Sequence, residues 1–79
     1  MRLDKYLKVS RIIKRRTVAN EVSSQGRIQI NGRVAKPSSE VKPGDIIAIQ
    51  FGDRIRQYEV LAVDEHVTKE NAVHMYREL

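Results

Sequence analysis

The sequence predicts an α+β fold: two N-terminal helices packed on a small twisted antiparallel sheet, with a C-terminal helix. Three observations predict it. Apolar residues recur at helical spacing up to Gln25, the pattern turns to polar/apolar alternation after Gly26, and helical spacing returns at Ala72, Met75, Tyr76 and Leu79.

Leu3, Tyr6 and Leu7 fall at i, i+3, i+4 and start the first helix near residue 3, with Lys5 and Lys8 on its opposite side. Val9, Ile12 and Ile13 repeat the spacing on a displaced face, so a break is expected near Val9-Ser10. The second helix is expected over residues 15–25, with Val18, Ala19 and Val22 as its apolar contacts. Gly26 ends it, since a residue without Cβ takes the left-handed terminating conformation without strain. Arg27-Ile28-Gln29-Ile30 and Arg33-Val34-Ala35-Lys36 flank Asn31-Gly32, the strongest short hairpin signal, because a type I′ turn needs positive φ at both central residues. Pro37-Ser38-Ser39 ends that run, and Lys42-Pro43-Gly44-Asp45 makes a second turn. Ile46 to Phe51 is a buried strand, Gly52-Asp53 breaks it, and Arg54 to Val63 is another strand. Thr68 caps a C-terminal helix whose apolar stripe docks on the domain. The expected core is Leu3, Leu7, Val18, Val22, Ile28, Ile30 and Ile47, with Tyr6 inside the apolar stripe.

Composition narrows the function. Seventy-nine residues make one small domain, which buries only about 60% of its unfolded surface and leaves little for a catalytic cleft. The chain has no Cys, which excludes a disulfide scaffold and a thiolate metal site. No apolar leader opens it and no window approaches a membrane span of about 20 apolar residues, so a cytoplasmic location is expected. Residues 1–33 carry nine cations against Asp4 and Glu21, a net of +7, whereas residues 34–79 carry six against eight, a net of −2. Such asymmetry is the footprint of a polyanion-binding surface.

No catalytic constellation accompanies it. His66 and His74 lack a metal-ligand spacing, the four glycines are scattered as turns and caps, and no base stands near the serines in sequence. The chain is expected not to be an enzyme and to need no cofactor or metal. The cations fit phosphate instead. Lys8, Arg11 and Arg15 form one stripe if the helical register survives the break, and Lys14-Arg15-Arg16 clusters at the mouth of the second helix. Aromatics are few, which disfavours single-strand reading by stacked rings and favours a folded RNA read by phosphates, 2′-hydroxyls and shape.

Four motifs keep one order and spacing: Arg2-Leu3-Asp4-Lys5; Arg16-x-x-Ala19-x-x-Val22; Gly26-x-Ile28-x-Ile30-Asn31-Gly32; and Val41-x-x-Gly44-Asp45. Over about residues 2–50 the chain resembles the RNA-binding domain named after ribosomal small-subunit protein S4. The resemblance implies two helices on an antiparallel sheet, the alpha-L RNA-binding motif, with RNA on the basic helix surface. It departs from the family pattern at Arg15, where Ser or Thr is usual, and at Ser23, where an aliphatic is common.

The short form with Lys14-Arg15-Arg16, Lys36-Pro37-Ser38 and a C-terminal helix resembles stand-alone members that act in bacterial ribosome-associated quality control. What this implies is an RNA-binding factor on a dissociated large ribosomal subunit that still holds peptidyl-tRNA. It contacts large-subunit rRNA, holds the tRNA in the P site and supports C-terminal tailing of stalled nascent chains by a factor that recruits alanyl-tRNA. The expected RNA-binding residues are Arg2, Lys5, Lys8, Arg11, Lys14, Arg15 and Arg16, in a monomer with no membrane partner. Residues 1–66 are the RNA-binding domain and 67–79 the C-terminal helix docked on it. The alternatives are a generic RNA-binding protein of ribosome assembly or RNA regulation, and an adaptor whose stripe Ala72, Met75, Tyr76 and Leu79 binds a partner groove. Arg16→Glu is expected to spare the fold, since acids suit helix N-termini.

Overall fold

A computed structural model describes residues 1–79. In chain order it contains α1 (Leu3–Val9), α2 (Arg16–Ser24), β1 (Ile28–Ile30), β2 (Arg33–Val34), β3 (Ile46–Phe51), β4 (Arg54–Val60), α3 (Lys69–Ala72) and β5 (Tyr76–Glu78). The strands form one antiparallel sheet in the order β2-β1-β3-β4-β5. Register sets the core face: Ile28 pairs with Ile49, Ile30 with Ile47, and Ile47 with Tyr58. Their side chains join Leu3, Tyr6 and Leu7 of α1 in one apolar cluster. Gln29, Gln50 and Gln57 point to the other, solvated face.

The expected break between the helices is present. Ser10 is buried, its hydroxyl donates to the Leu7 carbonyl at 3.3 Å, and Arg11 turns to φ 64°. A left-handed residue cannot continue an α-helix, so the register does not carry across. α2 ends in a Schellman motif. Gly26, at φ 72°, donates to Ser23, and Arg27 donates to Val22. The β1–β2 turn has Asn31 at φ 53° and Gly32 at φ 83°, as a type I′ turn requires.

Three sequence expectations are corrected. Val18 is 39% exposed and does not belong to the core. α2 is rotated so that Ala19 and Ser23, one turn apart, face inward, while Val22 and Ile30 pack at the edge of the cluster. Small residues on that face let α2 approach α1 closely, and Ser23 satisfies its buried hydroxyl on the Ala19 carbonyl. Second, β4 ends at Val60 rather than Val63.

Third, the C-terminal helix is short. Thr68 caps it as expected, accepting from the Asn71 N–H, but helix covers only Lys69–Ala72. Tyr76–Glu78 instead forms β5 on the outer edge of β4, with Tyr76 opposite Val60 and Glu78 opposite Tyr58. Two effects outweigh the helical period: a helix this short gains little beyond nucleation, and an open strand edge offers unpaired backbone groups. The Met75 carbonyl lies at the switch and accepts from the Tyr6 hydroxyl at 2.7 Å, Leu61 N–H at 2.8 Å and Ala62 N–H at 3.2 Å. Ala72 and Met75 are buried and Leu79 is 58% exposed, so the four residues make no free helical stripe for a partner groove.

Candidate nucleic-acid interface

α1 and α2 pack side by side, and the first carboxylate of the chain stands between their N-terminal ends. Asp4 sits in the first turn of α1, with only 3% of its side chain exposed. Its Oδ1 accepts the Lys5 N–H at 2.8 Å and the Arg2 Nε at 3.2 Å, and the Arg16 Nη2 lies 3.5 Å away. Its Oδ2 accepts from Arg2 Nη2 at 3.3 Å and from Asn20 Nδ2 at 3.4 Å. Burial pushes this carboxyl upward. The Asn20 and Lys5 hydrogen bonds, with the Arg16 and Arg2 charges, outweigh that and hold it below its ordinary value. Asp4 therefore stays ionised and fixes two arginines that are each about half exposed. One guanidinium comes from the residue before α1, the other from the first residue of α2. Two cations on one anion leave a surplus positive charge directed at solvent.

Sequence reasoning missed Asp4. The signal was present: it is the only acid among the first 20 residues, and it lies in the Arg2-Leu3-Asp4-Lys5 motif. Its position also changes the expectation for Arg16→Glu. A glutamate at 16 would face a buried carboxylate, so loss of packing is expected along with loss of charge.

The seven predicted cations divide into two groups. Arg2 and Arg16 are held by Asp4, and Lys5 pairs with Glu65 at 3.3 Å. Lys8, Arg11, Lys14 and Arg15 take part in no ion pair. The predicted stripe of Lys8, Arg11 and Arg15 does not form, because the left-handed turn at Arg11 ends the register. Instead Lys8, Arg11 and Lys14 line one wall of a cleft of about 440 Å³, and Glu65, His66 and Thr68 face them from the β4–α3 loop. Arg15 is the N-cap of α2 and makes no side-chain cap hydrogen bond, so this helix start lacks the satisfied donor that Ser or Thr would provide. The arrangement can bind anions at several points on one side of the domain. It offers no nucleophile–base pair and no cluster of metal-ligating side chains.

Residues 1–47 match the S4 domain. A curated relative, the RQC P-site tRNA stabilizing factor of Bacillus subtilis, is 55% identical over 76 residues, covering 96% of this chain and 88% of the relative. The factor so named from Streptococcus pneumoniae is 54% identical over the same share of this chain and 86% of its own length. Among solved structures, a trimeric structure of Vibrio cholerae Heat Shock Protein 15 superposes with a TM-score of 0.89 at 30% identity, covering 100% of this chain and 81% of that one.

Proposed function

The chain belongs to the S4-domain family, in the group of the RQC P-site tRNA stabilizing factors, and from that premise we propose how it acts. It is an RNA-binding factor of ribosome-associated quality control, not an enzyme. It binds large ribosomal subunits obstructed by peptidyl-tRNA, touches large-subunit rRNA and tRNA at once, and holds the tRNA in the P site. The held tRNA lets a second factor, one that recruits alanyl-tRNA, extend the stalled chain at its C-terminus. It works in the cytoplasm, as a monomer on each subunit.

The observation that carries this reading is the pair of arginines on Asp4. Arg2 and Arg16 come from different elements, meet at one buried carboxylate and remain half exposed. Held guanidiniums lose little side-chain entropy on binding, and each can take a phosphate oxygen pair. The unpaired Lys8, Arg11, Lys14 and Arg15 supply the remaining phosphate contacts. Two RNAs are bridged by a rigid body whose cations are oriented before either arrives.

Sedimentation with large subunits that do or do not carry peptidyl-tRNA tests the proposal. The wild type is expected to ride on the obstructed subunits, and its affinity to fall steeply with salt. Each neutralised phosphate contributes a log–log slope of about −0.7 to −0.9. Arg16→Gln is expected to lower binding strongly while the chain stays folded. Equal binding to empty subunits would remove the tRNA contact, and a flat salt dependence would remove the basic surface.

A further inference from the structure

A second cleft, of about 400 Å³, also borders the α1–α2 connection. Its walls are Ile12 from that connection and Phe51, Arg54, Arg56 and Tyr58 from the β3–β4 hairpin. Phe51 is 38% exposed and lies directly opposite Arg54 in the ladder. Arg54 takes part in no ion pair, whereas Arg56 is held by Glu78 at 3.2 Å. The lining is thus one exposed aromatic ring (Phe51), one buried aromatic ring (Tyr58) and the aliphatic Ile12, edged by one free guanidinium and one oriented guanidinium.

We propose that this cleft takes a single unpaired RNA nucleotide, its base against Phe51 and its phosphate on Arg54. The proposal rests on the RNA-binding reading above and extends it to the sheet. The chemistry matches on both sides of a nucleotide: a flat π surface stacks on a ring, and an anion meets guanidinium. The size matches as well, since small-ligand sites enclose about 300–1,000 Å³, and this one has room for one nucleotide and not for a duplex. Continuity decides for RNA over an acidic peptide. Ile12 adjoins Arg11 and lies two residues before Lys14, so the α1–α2 connection lines both this cleft and the cation-lined one. The net acidity of residues 34–79 hides the feature, because Arg54 and Arg56 are local exceptions within it. Few aromatics argue against a stacking platform of several rings, but one placed ring suffices for one base.

The test compares two RNA hairpins that differ only by one bulged, unpaired nucleotide, with the full chain as ligand. The wild type is expected to prefer the bulged hairpin. Phe51→Ala is expected to lose about 5- to 160-fold of affinity for it, the range of one base–aromatic stack. Phe51→Leu keeps apolar volume and discards the π face, so it loses the preference if stacking is the cause and keeps it if Phe51 only packs. Arg54→Gln lowers the salt slope on the bulged hairpin by about one contact. Binding of both hairpins without preference overturns this inference alone, whereas binding of neither hairpin nor large subunits overturns the RNA reading itself. A photocrosslinker at position 51 that captures ribosomal protein and no RNA also overturns it.

Discussion

The N-terminal helical unit and the β4–β5 edge treat their cations in opposite ways. On the edge, charges are matched across adjacent strands: Arg56 with Glu78, and Arg77 with Glu59. In the helical unit two arginines share one buried carboxylate and four further cations have no partner. Matching neutralises a surface and joins strands. Leaving cations unmatched costs self-repulsion and keeps them available to a polyanion. The same residue type thus joins strands in one region and keeps a solvent-facing charge in the other. Asp4 belongs to both descriptions, since it locks the helix ends and orients the arginines.

The largest expected effect tests whether the tail is structural. Met75→Ala removes a buried side chain at the α3–β5 switch and should lower stability by about 2–5 kcal/mol in chemical denaturation. The remaining folded protein should bind large subunits as before. An unchanged midpoint would remove the tail from the core.

Asp4→Ala strikes both regions' logic at once. It strips the partner from two guanidiniums and from the Lys5 N–H, and should cost about 1–3 kcal/mol together with subunit binding. Asp4 also gives an acid signature. Its folded pKa lies below the ordinary 3.8, so its stabilisation is complete above that value and is lost as pH falls through the lower, folded one. Melts of wild type and Asp4→Ala should therefore converge in acid. Parallel curves at every pH would show that the carboxylate's charge is not what matters.

Tyr6→Phe is expected to cost about 1 kcal/mol, a single hydrogen bond, because the Met75 carbonyl keeps its Leu61 and Ala62 donors. Burial, with a smaller contribution from Tyr76, raises the Tyr6 phenol above its ordinary 10.0. The fold favours the neutral form, so this contribution is present below pH 10.0 and lost as pH climbs past it. Wild type should lose more stability than Tyr6→Phe between neutral and strongly alkaline pH.

The smallest effect sharpens the contrast. Arg77→Gln breaks an exposed cross-strand pair and should cost about 0.2–1 kcal/mol, vanishing at high salt. The salt slope of subunit binding should not move. A shallower slope would make this edge part of the RNA surface.

Much of the fold was legible locally. The helix break, the type I′ turn at Asn31-Gly32, the end of α2 at Gly26 and the strand Ile46–Phe51 all follow from short-range rules of sterics and period. Val18 misled because periodicity gives an apolar stripe without its rotation, and packing chose the Ala19 and Ser23 face so that two helices could approach. The tail misled because i, i+3, i+4, i+7 also fits a four-residue helix followed by a strand. Which one wins depends on the unpaired edge of β4, distant in sequence. The cationic surface was visible as a charge asymmetry. Its internal division was not, because ion pairs such as Lys5–Glu65 join residues far apart in the chain.

By itself, then, the sequence determined the class of fold, its turns, and the concentration of positive charge in residues 1–33. These depend on period, turn chemistry and net charge, all of which are local or additive. Only the tertiary structure decided that Asp4 gathers Arg2 and Arg16, that the tail pairs with β4, and that Phe51 and Arg54 share a cleft with Ile12. Each of those depends on the distance between side chains from separate elements. That distance is fixed by packing one helix on another and one strand on its neighbour, not by spacing along the chain.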